Sequence, residues 1–418
     1  MGKHEKDNEL ADLRKVLKIS RSMAAMVDLD SLLGLIIIRA MELLDAERAT
    51  LFLYEEETDE LVSRIAAEED EIRCPADRGL AGAAAKSGKT VNVADAYADE
   101  RFNPEIDRQT GFHTRNILSV PLKDYEGSLV GVLQVLNKRR GAFEDYDIIL
   151  AETLAAQAGV AVQRARLIDH YLRKQEMERA MQIARDIQRD LLPGSDPAVE
   201  GFDVAGFSKP ADETGGDTYD FMPLPGGRWM IVVADASGHG IGPALVVATT
   251  RAMLRAVSLQ GAGLPDVLET ANTLLAEDLD GGRFVTCFFG VLDPAAEAMT
   301  YASAGHGPML FYDRKSERFT QVRATALPLG IMAETRFEDA PTHRFAPGDF
   351  AAITTDGFFE AAKASGEEFG VERMMELLAR DRDLPAADMI ANLRRAVLEF
   401  TAGEPQADDL TAVIIRRV

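Results

Sequence analysis

The stretch Val232-Val233-Ala234-Asp235-Ala236-Ser237-Gly238-His239-Gly240 constrains this chain most, because an apolar run patterned for burial ends on an aspartate and then turns through two glycines. Three other acidic sites have similar settings: Gly215-Gly216-Asp217, Thr354-Thr355-Asp356-Gly357 and Asp408-Asp409-Leu410-Thr411. Each stands at the end of a β-like run or in a glycine-containing turn, where the backbone comes close to an ion. Four such carboxylates gathered at one place repel one another strongly unless cations lie between them. The residues taken alone read as a hard-metal site.

A chain of 418 residues is long enough for two or three domains, and its 46% hydrophobic content describes folded protein with ample core. The formal net charge of −23 argues against a nucleic-acid backbone or an anionic membrane as main partner, since both call for basic surface. Cys74 and Cys287 fall in different expected domains, give no disulfide framework and fit a reducing compartment. No segment approaches the ~18 to 20 apolar residues of a membrane span, and the start MGKHEKDNEL has no apolar signal core. The expectation is a soluble cytoplasmic protein.

Residues 5–26 read as a charged amphipathic helix with Leu10, Leu13, Leu17 and Ala24 on one face. From Asp28 the pattern predicts a helix over Leu32 to Leu44 and strands over Arg48 to Tyr54 and Leu61 to Ala66. Strands over Asn116 to Val120 and Leu129 to Leu136 follow, the second after a turn at Tyr125-Glu126-Gly127-Ser128. Strands joined by short turns with helices at both ends describe an α+β domain, a sheet with helices packed on one face. With Asn137-Lys138, Phe143 and Asp147 in place, residues 28–165 resemble a GAF domain of the cyclic-nucleotide type, although Ile148 stands where that pattern has Glu. The resemblance implies an antiparallel sheet with helices and a structural salt bridge between Lys138 and Asp147 beside the pocket. It leaves open whether that pocket takes a cyclic nucleotide, another small molecule or nothing.

From Phe143 to Leu192 the pattern is almost unbroken helix. Leu154, Ala158, Ala161, Ala165, Ile168 and Leu172 alternate steps of four and three, as a helix-pairing seam requires. Arg173-Lys174-Gln175-Glu176 interrupts the seam, which resumes in shifted register with Met177, Ala180, Ala184, Ile187 and Leu191 before Pro193-Gly194 ends the helix. At ~1.5 Å per residue such a helix runs about 70 Å, longer than a small domain, and this favours a signalling coiled coil in a parallel homodimer over a connector lying on its own domain. The expected division is an N-terminal helix (1–27), the sensor domain (28–165), a helical linker (166–194) and a C-terminal domain (195–418).

That last domain alternates β-like runs (Trp229 to Ala234, Thr286 to Leu292, Ala298 to Ala304, Met309 to Tyr312, Phe350 to Thr354, Leu410 to Ile415) with helical ones (Pro243 to Leu259, Leu264 to Glu277, Val371 to Ala379, Ala386 to Phe400). The ordering suggests two sheets with helices outside. In order along it stand Gly215-Gly216-Asp217-Thr218-Tyr219-Asp220, Asp235-Ala236-Ser237-Gly238-His239-Gly240, Ser303-Ala304-Gly305-His306, Pro328-Leu329-Gly330, Thr355-Asp356-Gly357 and Asp408-Asp409-Leu410-Thr411. Together they resemble the SpoIIE/RsbU-type branch of the PPM (PP2C-like) serine/threonine phosphatases, and Ala184 to Pro193 resembles the helix leading into that domain. The resemblance implies an αββα sandwich and two Mn2+ or Mg2+ ions. Asp217 and the carbonyl of Ala236 would bind one ion, Asp235 would bridge both, and Asp356 and Asp408 would hold the second. Asp409 is expected beside these ligands, Asp220 as a supporting acid or third-metal ligand, Lys209 as a helper for phosphate, and His239 and His306 as structural. An all-oxygen ligand set suits these hard ions and not Zn2+.

Two such ions lower the pKa of a bridging water and neutralise the phosphoryl oxygens during in-line displacement. The implied function is a sensor-regulated protein phosphatase whose substrate is a phosphorylated STAS-domain regulator of bacterial partner switching. A different class is a non-catalytic sensor that uses the phosphatase fold only for docking, and chelator-sensitive release of phosphate separates the two. Gly215-Gly216-Asp217 also echoes the Gly-Gly-Asp-Glu-Phe signature of cyclic-dinucleotide synthases, but Tyr219 and Asp220 break that pattern.

Overall fold

The alternating run around Thr50 and Phe52 becomes the central strand of the N-terminal half. In the computed structural model, which describes residues 3–63, 72–279, 282–337 and 340–418, β1 (Ala46–Glu55) pairs with β2 (Glu60–Ser63) on one side. With β3 (Arg73–Pro75), β4 (Val91–Val93), β5 (Ile117–Lys123) and β6 (Leu129–Lys138) it forms a six-stranded sheet in the order β3-β2-β1-β6-β5-β4. Every pairing is antiparallel. The strand predicted over Asn116 to Val120 runs on through Pro121 to Lys123, since β4 pairs only as far as Ser119 and leaves the proline nitrogen no ladder bond to make on that side.

The helices of this half are α1 (Lys3–Ala25), α2 (Leu29–Leu43), α3 (Gly79–Ser87), α4 (Glu105–Thr110) and α5 (Asp145–Leu191). Asp28 starts α2 by accepting the Ser31 N–H at 2.8 Å, and Leu32, Leu33, Ile36, Ile37 and Ala40 then fall on its buried stripe. The face of α1 differs from expectation. Val16, Ile19 and Met23 are buried at helical spacing while Leu17 and Ala24 are exposed, because the larger apolar set i, i+3, i+7 takes the core; the side chains of Leu10 and Leu13 lie outside the described residues. A second correction concerns α5. Leu154, Ala158, Ala161 and Ala165 are buried with α1, α2 and the sheet in one core, so this part of the expected pairing seam serves its own domain. Every residue from Tyr171 to Ala180 is exposed, and Leu167, Tyr171, Met177, Ile183 and Ile187 leave apolar surface uncovered.

The chain divides into two compact units, residues 1–176 and 177–418, at the polar step where the apolar pattern of α5 shifts. The second unit contains β7 (Phe202–Lys209), β8 (Asp217–Leu224), β9 (Arg228–Ala236), α6 (Ile241–Ser258), α7 (Leu264–Asp278), β10 (Val285–Asp293), β11 (Ala298–Ala304), β12 (Met309–Asp313) and β13 (Arg318–Val322). It continues through β14 (Thr342–Arg344), β15 (Phe350–Thr354), α8 (Val371–Arg380), α9 (Ala386–Phe400) and β16 (Leu410–Arg417). Two five-stranded sheets result, β14-β11-β10-β9-β8 and β13-β12-β15-β16-β7. Three apolar layers hold them. Val232 and Ala234 pack with Val247, Leu254, Val267 and Leu268 under α6 and α7. Tyr219, Phe221, Ile231, Val233, Phe288, Ile353 and Val413 fill the space between the sheets. Tyr312, Phe350, Met374, Met389, Leu393 and Ile414 lie under α8 and α9. The period-2 alternation of each strand thus supplies both faces of an αββα sandwich.

The Asn137-Lys138 pair of the sensor half is structural in its contacts. Asn137 has a left-handed φ of 56°, accepts the Arg115 N–H at 2.6 Å and donates to Glu47 at 2.9 Å and to the His113 carbonyl at 2.8 Å. Lys138 Nζ is ion-paired with Asp147, their side chains only 17% and 10% exposed, and Asp147 also accepts the Glu144 N–H at 2.8 Å in the first turn of α5. Removing one charge from a pair this buried strands the other. In thermal denaturation, Lys138→Ala and Asp147→Ala are each expected to lower stability by more than the ~0 to 1 kcal/mol of exposed pairs, while the double variant costs clearly less than their sum. Strictly additive losses would refute the coupling.

Candidate active site

The register of two strands places the first pair of acids. Asp217 at the start of β8 lies directly opposite Asp235 near the end of β9, and Asp235 in turn faces Thr286 on β10. Both aspartates follow the alternation of Tyr219, Phe221, Ile231 and Val233, so they point between the sheets. The second pair comes from the facing sheet. Asp356 follows β15 and Asp408 precedes β16, and these strands are neighbours with Thr354 opposite Ala412. Cross-sheet bonds bring the two pairs to one edge of the sandwich: Thr355 Oγ1 donates to Asp217 Oδ2 at 2.7 Å, and the Asp217 N–H donates to Asp409 Oδ2 at 3.2 Å.

Two glycines permit this approach. A Cβ on Gly216 would stand 2.7 Å from the Ala236 carbonyl and 3.3 Å from Asp235 Oδ1, so only hydrogen leaves room between those oxygens. A Cβ on Gly357 would meet the Asp409 carbonyl at 2.1 Å. Asp409 spends its carboxylate on backbone N–H groups, Ala211 at 2.7 Å as well as Asp217, and so braces the turn that carries Asp217. Asp408 Oδ1 accepts the Asp409 N–H at 2.8 Å.

Burial and mutual repulsion act together on these acids. Asp235 is pushed up to about 7, first by burial and then by Asp356, Asp408 and Asp409. Burial, Asp235 and Asp409 hold Asp217 well above the ordinary carboxylate range despite the Thr355 hydroxyl. Asp356 is raised by burial and by Asp408, and Asp409 by burial. Each shift has the sign expected where negative charge is crowded. Among the described residues, no three His, Cys, Asp or Glu side chains are arranged to hold an ion as they stand. The donor chemistry nonetheless fits a hard divalent cation: carboxylates and one carbonyl, all oxygen, around a space that a single Cβ at Gly216 would fill.

Asp220 departs from expectation. It points to the opposite face of β8 from Asp217, is fully buried, and is gripped by two arginines of α6, with Arg255 Nε at 2.5 Å, Arg255 Nη2 at 2.8 Å and Arg251 Nε at 3.1 Å. Its place is under the helix layer, where it pins α6 to the sheet. His306 is buried, 3.4 Å from the Thr286 hydroxyl through Nδ1, and burial pushes it down to about 4. His239 is exposed, 3.5 Å from Asp212. Lys209 ends β7 opposite Leu410, beside the Asp408-Asp409 turn.

Residues with clear roles here were not singled out from the sequence. Gln188, near the end of α5, donates to the Gly215 carbonyl at 2.6 Å and accepts the Gly215 N–H at 3.1 Å. Its signal is a neutral amide among the charges of the last helical turns. Thr355 carried a usable signal, a hydroxyl beside a motif aspartate. Arg251 and Arg255 lie four apart on one helix face, the spacing that lets both reach a single carboxylate.

A five-on-five antiparallel sandwich between helix layers, with aspartates from both sheets at one edge, defines the phosphatase class of the PPM type. Residues 225–418 match the family Stage II sporulation protein E (SpoIIE), and residues 28–162 match the GAF domain. A GAF-type domain is thus followed by a SpoIIE-type phosphatase domain. It is 28% identical over 246 residues to the phosphoserine phosphatase RsbU of Bacillus subtilis, an alignment covering 58% of this chain and 72% of that one. It is also 32% identical over 179 residues to the probable 3',5'-cyclic phosphodiesterase pde-5 of Caenorhabditis elegans, covering 39% of this chain and only 24% of that relative. The SiaA-PP2C domain of Pseudomonas aeruginosa superposes with a TM-score of 0.51 at 21% identity, over 58% of this chain and 98% of that one, a likeness of fold.

The Asp220 cluster generates a stability prediction. Removing the carboxylate leaves two guanidinium groups facing each other in a largely dry layer, so Asp220→Ala is expected to cost the second unit about 3 kcal/mol or more in urea unfolding. Arg255→Ala should cost less, because that side chain is 37% exposed and screened by water. A loss below about 1 kcal/mol for Asp220→Ala would show that the cluster does not anchor α6.

Proposed function

We propose that this protein removes phosphate from phosphoserine or phosphothreonine in a partner protein, with two Mn2+ or Mg2+ ions held at the edge of the sandwich. The observation that carries this reading is the convergence of aspartates from both sheets beside Asp217 and Asp235, which face each other directly. Asp217, Asp235 and the Ala236 carbonyl would hold one ion; Asp235, Asp356 and Asp408 would hold the other. When bound, such ions supply an activated water and neutralise charge on the phosphoryl oxygens. The protein's part is positional. Thr355 fixes one oxygen of Asp217, Asp409 fixes the backbone that carries it, and Lys209 stands where it can attract a phosphate. No side chain is required as nucleophile, and the buried thiol Cys287, pushed up to about 12 by burial, is unsuited to be one.

The likeness to RsbU, together with the motif order, supports a phosphorylated STAS-domain regulator as substrate in the cytoplasm. Asp235→Asn is expected to lower manganese-dependent hydrolysis of p-nitrophenyl phosphate by about a hundredfold or more, with Asp409→Asn milder. Equal, near-normal rates in both variants at saturating manganese would refute the ligand assignment. Manganese-independent hydrolysis that survives chelator would refute the metal chemistry itself.

Regulation is proposed to run from the sensor half through α5. The GAF unit holds a cavity of about 760 Å³ lined by Arg48, Phe52, Phe112, Thr114 and Gln134 among others, room enough for a cyclic nucleotide or a similar small molecule. The uncovered apolar residues of α5 from Leu167 to Ile187 support a parallel homodimer that pairs the two helices. Packed helices hold discrete alignments, so activity should depend on helical phase. Insertion of seven residues between Glu176 and Met177 rotates the downstream helix by about 700°, within ~20° of its starting direction, whereas two residues rotate it by about 200°. Phosphatase activity with and without cyclic GMP should keep its regulation in the first variant and lose it in the second. A series of insertions with flat activity, or a protein that sediments as a monomer at all concentrations, would overturn the proposal.

A further inference from the structure

Around the acidic edge lies a rim of unlike chemistry. The chain carries 69 acidic residues in 418, yet none of the 18 residues of α6 is Asp or Glu. Segments 282–292 and 321–333 are free of them too. These three segments meet. The Ser237 N–H donates to the Phe284 carbonyl at 2.9 Å, which ties the turn after Asp235 to the segment leading into β10. Val285 and Leu329 exchange backbone hydrogen bonds at 2.8 and 2.9 Å, which sets the 327–332 loop beside that same segment. Gly305 N–H donates to the Ala326 carbonyl at 2.8 Å, so the loop starts next to His306.

Arg283 sits at the junction. A Cβ on Gly242, in the first turn of α6, would stand 3.6 Å from Arg283 Nη1, and one on Gly330 would stand 3.7 Å from the Arg283 carbonyl. The side chain is exposed and, among the described residues, makes no hydrogen bond or ion pair. On its two sides are large apolar side chains turned to solvent: Ile241 and Leu245 one helical turn apart on α6, and Leu327, Ile331 and Met332 on the loop. Leu245 is 64% exposed, and Ile331 and Met332 about half exposed at 48% and 51%. Large apolar side chains left open on both sides of a cation that engages none of the described residues mark a contact site.

We infer that this rim is the docking surface for the phosphorylated substrate protein, with Leu245 and Ile331 as apolar anchors and Arg283 taking an anionic oxygen at or beside the scissile phosphoserine. The occupant follows from charge. A phosphoserine brings roughly two negative charges at neutral pH, and a chain of net charge −23 repels such a partner over most of its surface. The three rim segments, which carry no acid of their own, and the Arg283 guanidinium form the face beside the acidic edge where that repulsion is least. Arginine suits the role because its planar fork matches phosphoryl and carboxylate oxygens alike. The inference rests on the proposed protein-phosphatase reading and adds to it how the protein substrate is recognised.

The test uses the full chain and a bacterial STAS-domain protein carrying a single phosphoserine introduced during translation. Binding is measured by biolayer interferometry in chelator, so that no turnover intervenes, for wild type, Leu245→Glu, Ile331→Glu and Arg283→Glu, with Leu398→Glu on α9 as the distant exposed control. Each rim variant is expected to weaken binding about tenfold or more, and the control not at all. With manganese present, the ratio of phosphoprotein to p-nitrophenyl phosphate hydrolysis should fall by a similar factor in the rim variants. If Arg283→Glu weakens binding of the phosphorylated form alone, the guanidinium takes the phosphoryl group; if it weakens both forms equally, it takes a neighbouring carboxylate. Wild-type binding that no rim variant changes, or no wild-type binding, overturns the docking surface. Rim-dependent binding without hydrolysis of either phosphoester would leave the docking surface standing and sink the phosphatase reading alone.

Discussion

Two aspartates opposite one another in neighbouring antiparallel strands, Asp217 and Asp235, set the terms for the C-terminal unit. Like charges at such a pair stand about 5 Å apart at Cβ and are unfavourable even at a surface. Here they are pressed into the space between sheets. What keeps them together is the strands themselves: Val232, Val233 and Ala234 immediately before Asp235 are 1% exposed or less, and moving the aspartate away would draw them out of two cores at once. Burial of each of the two valines is worth roughly 1.5 to 3 kcal/mol, so the local apolar layers hold the acids where electrostatics alone would not. Burial first, and the field of Asp356, Asp408 and Asp409 second, push Asp235 up to about 7 and give the edge a demand for positive charge.

That demand is shaped by backbone as much as by side chains. The Gly215-Gly216-Asp217 turn is held from three directions: Gln188 binds both polar groups of Gly215, Asp409 accepts the Asp217 N–H, and Thr355 fixes the Asp217 carboxylate. The turn after Asp235 is held by the Ser237–Phe284 bond on one side and runs directly into α6 on the other. Because α6 is tied back to β8 through Asp220, both acid-bearing strands share one rigid support. A displacement of Gln188 or of α6 by a fraction of an ångström would pass straight to the carboxylates, since packed elements move as units.

Much of this was legible in the sequence, for stated reasons. Strands with strict alternation and helices with long apolar stripes stood out, so β11, β15 and α9 were located to the residue. The acid motifs were legible because glycine beside aspartate at the end of an apolar run has few other uses. β7 and β8 were not located, since charged and small residues such as Asp203, Gly206, Asp217 and Asp220 interrupt their pattern. Asp220 illustrates the limit most clearly. Its neighbourhood in sequence suggests the metal edge, but three residues along a strand reverse the face, and the partners that define it, Arg251 and Arg255, come from a helix more than thirty residues later. The first part of the α5 seam, Leu154 to Ala165, was misassigned for a related reason: a step of four and three describes any buried helix face, and periodicity does not tell a neighbouring sheet from a second helix.

The division of α5 follows from what covers it. Up to Ala165 its apolar face is spent on the sensor core, where Leu154, Ala158 and Val162 are fully buried. Beyond Tyr171 nothing in the same unit covers it, and ten consecutive residues are exposed on every side. A bare stretch of helix this short is marginal in water by its own propensity. Arg173 pairs with Asp169 one turn earlier at 3.1 Å, an exposed contact of a few tenths of a kcal/mol that does little to change this. Apolar side chains such as Met177, Ile183 and Ile187 add a cost that solvent does not repay. The proposed pairing of two chains removes both difficulties together, because the same contact that buries these residues stabilises the helix they stand on. A signal that alters the pairing then acts on the least self-sufficient part of the chain, the bare stretch Tyr171 to Ala180, which ends eight residues before the Gln188 whose amide grips the Asp217 turn.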